Sequence, residues 1–348
     1  MNTTYWTMPD GRQSAIYELT DGKITAHISD FGATIHRLYV PDRNGKLDDV
    51  VLGFKTPAEY IASTTFFGTV VGRSCNRLKD GKFTLNGKTY QLDLNDGNNN
   101  LHCGYSFYKD RLWDVEQVCE NSITLKLFSP DGDQGFPGNA TIKVTYTLED
   151  GSLKIAYEGV CDQDTVFNLT NHSYFNLAGH TKPEKAMEQV LMLPARFFTP
   201  DDAESIPTGE ERSVEGTPFD FRTAKPIGRD INRDYDALKL QGGYDHNFEV
   251  WCNPCAVLHD PQSGRTMEVT TDCCGIQFYA GNFLEGEEGK DNARYTYRGA
   301  VCLETQYFPN ALNNPNWKQP ITKAGQTYRS ETVYTFKSEC QRTPKPSK

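Results

Sequence analysis

The sequence predicts an all-β protein, a large antiparallel β-sandwich with a few short helices. Three observations carry this. First, apolar and polar residues alternate with period two in short segments, as in SITLKLF (122–128), ATIKVTYTL (140–148) and SLKIAYEGV (152–160). Second, turn residues separate such segments. The clearest case is Asn86-Gly87 between the arms of KFTLNGKTYQL (82–92), the strongest short hairpin signal. Third, helical periodicity is scarce. Many short strands with turns at close intervals describe a sandwich or barrel.

In chain order, residues 24–40 alternate and break at Gly32. Thr56-Pro57-Ala58-Glu59-Tyr60 reads as a capped helical turn with proline at its first position. After the hairpin and the three strands above, separated by the loop 130–139 and the turn 149–151, further strands are expected near 188–194, 246–251, 255–259, 265–271, 275–281, 299–305 and 328–336. Short helices are expected at 199–207 and 230–235. The stretch 195–245 is rich in loops, yet Phe197, Phe198, Phe219 and Phe221 predict that it is packed. Nothing resembles a linker, so residues 1–340 are expected to form a single domain, with 341–348 a flexible tail.

The chain has 348 residues and a net charge of −10. That charge argues against a nucleic-acid partner, whose phosphates need Lys and Arg. It also disfavours an anionic substrate unless a local basic pocket overrides it. No apolar run approaches the roughly 20 residues of a membrane span. The N-terminal residues lack the pattern of a signal peptide. The expected location is the cytoplasm, where the ten cysteines read as free thiols.

The stretch NLTNHSYFNLAG (168–179) sets His172 among Asn168, Thr170, Asn171, Ser173 and Asn176, with apolar anchors on either side. This describes an imidazole on a stiff support, either as a working acid–base group or as a satisfied structural histidine. GRSCNR (72–77) and NNLHCG (99–104) flank the hairpin, which returns its ends to each other, so Asn76, Arg77 and His102 can face one site. Individually they also suit a surface arginine and a loop histidine. In GGYDHNF (242–248), Asp245 follows paired glycines and either accepts hydroxyl hydrogen bonds or forms an Asx turn. Gln277, in GIQFYAGN (275–282), either bonds a ligand or sits on the wet face of its strand. Glu304, in AVCLETQYFPN (300–310), lies on an apolar strand, where desolvation raises a carboxyl pKa. Cys252, Cys255 and the adjacent Cys273 and Cys274 lack the two spaced pairs of a zinc site. No nucleotide or zinc-protease motif is present.

Taken together and in this order, these motifs resemble those of the aldose 1-epimerase family, the galactose mutarotases, from about residue 10 to about 338. The resemblance implies a galactose mutarotase-like supersandwich with a sugar-binding cleft on one face, and neither cofactor nor metal. Carried over by motif, His172 is the expected general acid and Glu304 the general base. Asn76, Arg77, His102, Asp245 and Gln277 are expected to bind and orient the sugar. Cys75 and Cys103 stand where family members usually carry small residues. The implied reaction interconverts the α and β anomers of free aldohexoses such as galactose and glucose. The expected partner is the small-molecule aldose, with no nucleic acid or membrane, in a monomer or homodimer.

Two rivals stay open. A hexose-6-phosphate mutarotase would want several cations in the cleft, and the motifs supply Arg77, with Arg73 as a second candidate. A non-catalytic sugar-binding module on the same fold would need no acid–base pair. A glycoside hydrolase would want two carboxylates, whereas the implied pair is a carboxylate and an imidazole.

Overall fold

The alternating segments pair as their pattern requires. In the computed structural model, which describes residues 2–338, Ser122–Ser129, Ala140–Glu149 and Ser152–Cys161 are consecutive antiparallel neighbours. They belong to a sheet whose strands run in the order Asp114–Cys119, Ser122–Ser129, Ala140–Glu149, Ser152–Cys161, Thr327–Ser338, Arg265–Thr271, Ala256–His259, Val190–Met192, Lys225–Pro226. Alternate residues of its long strands are buried, and the intervening hydroxyls pair across the other face, as in Ser122–Thr147 and Thr124–Thr145.

A second sheet is an antiparallel succession of Thr3–Thr7, Gln13–Thr20, Thr25–Ser29, Thr34–Pro41 and Leu47–Asp49. A third runs in the order Arg212–Ser213, Phe197–Thr199, Asp245–Glu249, Gly275–Tyr279, Cys302–Gln306. One apolar core joins all three. It includes Ile28 and Leu38 from the second sheet, Leu125 and Val144 from the first, and Phe248, Phe278 and Leu303 from the third. Tyr334 reaches across it to donate to the Leu303 carbonyl at 3.0 Å.

The helix at Pro57–Ala62 has the expected proline and a full capping box between Thr56 and Glu59. The expected break near Gly32 divides residues 24–40 into two strands. Two expected helices are absent. Residues 199–207 form a turn in which Asp202 Oδ1 accepts from the Glu204 and Ile206 amides. The other helix is displaced to Asp236–Gln241 and ends at Gly242, whose φ of 64° supplies its left-handed cap. Strands at Thr3–Thr7, Gln13–Thr20 and Asp114–Cys119 lie outside the segments read from the sequence. The expected tail at 341–348 falls outside the described residues. Among those described, no helix is long and apolar enough to cross a membrane.

The segment 168–176 is tied to the backbone on both sides. Thr170–Asn171 pairs with Val70–Val71, and Phe175 exchanges hydrogen bonds with Val301. Gly68 is the pivot. Its amide donates to the His172 carbonyl, while its own carbonyl accepts from the Ile35 amide and Asn171 Nδ2. Its φ is 71°, and a Cβ there would stand 2.2 Å from the Ile35 carbonyl oxygen. Gly68→Ala therefore combines left-handed strain with a backbone clash. It should destabilise the fold by about 2–5 kcal/mol, read by urea unfolding. An unchanged midpoint would contradict this account of the pivot.

Candidate active site

The third sheet is buried on both faces where Gly275–Tyr279 pairs with Cys302–Gln306. Period two divides its side chains. Phe248, Ile276, Phe278 and Leu303 enter the core. Asp245, Gln277 and Glu304 point the other way, into a cleft that opens to solvent. Gln277 and Glu304 are direct cross-strand partners. The sequence left open whether Gln277 faces water or a ligand. It is buried and lines the cleft.

The hairpin Lys82–Leu85/Lys88–Gln91 returns the chain as expected, and Arg77–Leu78 pairs with Asn100–Leu101. This sets Asn76 against His102. The His102 amide donates to the Asn76 carbonyl at 3.0 Å, and the Asn76 amide donates to His102 Nδ1 at 3.1 Å. With Nδ1 accepting, the neutral ring carries its proton on Nε2. The same cleft thus gathers Asn76, Arg77, His102, His172, Asp245, Gln277 and Glu304 from six separate stretches of chain. Arg73 is elsewhere. It is fully buried, and its guanidinium is bonded to the Pro137 and Gly138 carbonyls, Thr165 and Ser129. The possible second cation of the cleft is therefore a structural arginine.

His172 Nε2 lies 3.7 Å from Glu304 Oε2. The imidazole is stacked with Tyr174, at 5.0 Å between centroids, and Phe66, at 5.8 Å. Its other nitrogen, Nδ1, is 3.6 Å from Cys302 Sγ. Burial pushes Glu304 well above the usual carboxylate range; the Asp245 charge adds to this and Arg77 opposes it. Burial pushes His172 down to about 4. Both directions favour an uncharged pair, with one proton on the carboxyl. His102 is held uncharged by burial, with His172 and Arg77 adding to the effect.

Burial also acts against the charge on Arg77, but the Asp245 and Asp96 carboxylates outweigh it. Its Nε donates to Asp96 at 2.7 Å. Burial raises Asp245, while Arg77 and a 2.8 Å hydrogen bond from Gln277 hold its ionised form.

Several lining residues went unnoticed in the sequence. Thr64, Thr65 and Phe66 follow the short helix, and nothing in their spacing marks them. Tyr174, which also lines the cleft, lay inside a motif already singled out, two residues from His172. Asp96 lies beside the NNLHCG motif and escaped notice as the partner of Arg77.

His172, Cys302 and Glu304 offer nitrogen, sulfur and oxygen atoms within 4.8 Å of one another and could hold a metal ion. The only other such group among the described residues is Asp49, His180 and Asp291. Its carboxylates are already paired with Lys290 and Arg37. The cysteines of the described residues are free thiols, and Cys252, Cys255, Cys273 and Cys274 form no such group.

Comparison with known proteins identifies the family. The chain is 41% identical over 325 residues to galactose mutarotase of Sus scrofa, covering 92% of this chain and 93% of the relative. It is 39% identical to aldose 1-epimerase of Haemophilus influenzae, covering 97% and 100%. Among solved structures, the aldose epimerase homologue from C. elegans superposes with a TM-score of 0.87 at 32% identity, covering 93% of this chain and 99% of that one. The family model described as aldose 1-epimerase matches residues 15–335. A chain matched over this span, with the expected motifs lining one cleft, belongs to the aldose 1-epimerase family.

Proposed function

We propose that this protein is an aldose 1-epimerase, interconverting the α and β anomers of free aldohexoses such as galactose and glucose, with residues 1–340 acting as one domain. The observation that carries the reading is the 3.7 Å approach of His172 Nε2 to Glu304 Oε2 inside a cleft lined with hydroxyl-binding groups. The reacting oxygens of a pyranose, O1 and O5, are bonded to the same carbon. An acid and a base this close together can serve both.

In the ring-opening step Glu304 takes the proton of the O1 hydroxyl. The O1 electrons form the carbonyl, the C1–O5 bond breaks, and its electron pair goes to O5. His172 gives O5 a proton. The aldehyde then turns about C1–C2, and the reverse transfers close the ring as either anomer. His102, through its Nε2 proton, and Arg77 polarise O5 and spread its developing charge. Asp245, Gln277 and Asn76 hold the remaining hydroxyls.

The proton count supports these roles. The reactive form is a carboxylate beside an imidazolium, whereas burial favours a carboxylic acid beside a neutral imidazole. The two differ by one proton moved within the pair, so no proton need come from solvent. With a proton on Nδ1 directed at Cys302 Sγ, the Nε2 lone pair faces the Glu304 carboxyl and can receive it. Ring opening then returns the pair to its uncharged form, which burial favours.

A 6-phosphate substrate is disfavoured. Arg77 is the one Arg or Lys among the described residues lining the cleft, and Asp96 already occupies it. A non-catalytic sugar binder would have no use for two buried titratable groups in contact. The aldose is the proposed small-molecule partner. A cytoplasmic location and a monomeric or homodimeric state, without nucleic acid or membrane, complete the proposal.

Three outcomes are expected. Glu304→Ala and His172→Asn should each slow mutarotation of fresh α-galactose by about 10²–10⁴-fold, followed by polarimetry. Two variants with wild-type rates would refute the acid–base assignment. The rate should show a broad bell against pH. His172 is shifted down, so the acid limb, where the pair gains a second proton, should fall near pH 4. Glu304 is shifted up, so the alkaline limb, where the pair loses its one proton, should lie above the ordinary carboxylate range. An acid limb near pH 6.5 would instead indicate a solvated histidine. Finally, kcat/KM for glucose should exceed that for glucose 6-phosphate. The opposite order would favour the phosphosugar reading.

A further inference from the structure

A line of hydrogen bonds runs from the cleft into the protein behind it. Gln277 Nε2 donates to Asp245 Oδ1 at 2.8 Å. Gln306 Nε2 donates to Gln277 Oε1 at 3.2 Å. The Cys75 thiol donates to Gln306 Oε1 at 3.2 Å. The line crosses four chain segments: the strands Asp245–Glu249, Gly275–Tyr279 and Cys302–Gln306 of the third sheet, and the loop ahead of the hairpin. Gln277, Gln306 and Cys75 are all buried, at 4%, 0% and 2% exposure.

The chemistry at one end orients every member. An ionised carboxylate only accepts, so Gln277 must turn its NH2 toward Asp245. Its carbonyl oxygen then faces Gln306, which must present its own NH2. The Gln306 oxygen is left facing Cys75, and the last group must be a donor. Burial pushes the Cys75 thiol well above its usual range and keeps it protonated, with the Glu304 charge adding to the effect. A residue without a donor at position 75 would leave the Gln306 oxygen unpaired and both amides free to reverse. A reversed Gln277 would turn its carbonyl oxygen against the Asp245 carboxylate.

We infer that Cys75 and Gln306 are positioning residues that, through Gln277, fix the orientation of the Asp245 carboxylate toward the substrate hydroxyls. Neither residue is among the cleft-lining groups. The inference rests on the aldose reading above and deepens it, by giving the cysteine of the GRSCNR motif a role in substrate binding. Because Asp245 is assigned to binding and the proton transfers to Glu304 and His172, the relay should act on KM and leave kcat nearly unchanged.

The test compares Cys75→Ser, Cys75→Ala and Gln306→Met with the wild-type protein. Serine and alanine leave nearly the same space, so any cavity effect is common to both, and their difference reads the donor alone. Cys75→Ser should keep KM for galactose within about twofold of wild type. Cys75→Ala should raise it about fivefold to tenfold, the loss of roughly one hydrogen bond. Gln306→Met removes two links and should raise KM at least about tenfold, with kcat within about threefold. Thermal melting confirms that each variant is folded.

Equal KM values for the serine and alanine variants would overturn the relay, as would a fall in kcat at unchanged KM. Calorimetric titration of the same four proteins with galactose reads the relay without turnover. If the wild-type protein binds galactose but does not epimerise it, the proposed reaction fails. The serine–alanine difference in Kd still decides the inference.

Discussion

The constraint on which the rest depends is desolvation of the strand Cys302–Gln306. All five of its residues are buried; Leu303 enters the main apolar core and Cys302 a smaller apolar cluster. Polar groups on its other face therefore have to find partners in a small closed region. Glu304 finds His172, and Gln306 finds Gln277 and Cys75. A buried ion pair carries a desolvation cost that its mutual attraction only partly offsets. The cleft meets that cost by letting the pair rest uncharged. A bound sugar supplies the hydroxyls that hydrogen-bond the charged form. The proposed acid–base pair is thus poised by the same burial that holds the sheet together.

The long strands were legible because one face of their sheet is buried and the other exposes hydroxyls, which writes alternation directly into the sequence. That rule fails where both faces are covered. Gln277 could not be assigned to solvent or ligand, because a polar cleft and open water leave the same pattern. The helix expected at 199–207 failed for a local reason. Asp202 uses its side chain to accept two backbone amides, and that competes with helix formation. Arg73 and Arg77 share one motif but diverge completely. One braces the loop 129–138 from within, and the other reaches the cleft. Spacing along a non-repetitive loop carries no information about direction.

The seven candidate residues were legible as a set through the motifs, and less so from their own chemistry. Thr64, Thr65 and Phe66 contribute to the cleft only because the short helix and Gly68 bring them opposite His172. That is a property of tertiary packing, with no local signature. The Asp245–Gln277–Gln306–Cys75 line was hidden for a related reason. Its members come from four motifs whose mutual register only the sheet establishes.

The stacking of His172 bears on how one site can serve both anomers. Tyr174 and Phe66 both lie nearly parallel to the imidazole, so its polar contacts lie in the ring plane. Nδ1 is taken by Cys302, which leaves Nε2 as the nitrogen able to exchange a proton with Glu304 or with a sugar oxygen. The imidazole cannot swing to follow the substrate. In the open-chain aldehyde the O5 hydroxyl can stay beside Nε2 while C1 turns about the C1–C2 bond. The anomers differ only at C1, so a fixed acid at O5 is indifferent to which one formed. In the proposed reaction Glu304 then accepts O1 in either of two positions. A carboxylate, with two oxygens and several lone-pair directions, accommodates this where a second imidazole would not. A rigid acid and a geometrically tolerant base are therefore the division of labour that a reversible epimerisation at C1 requires.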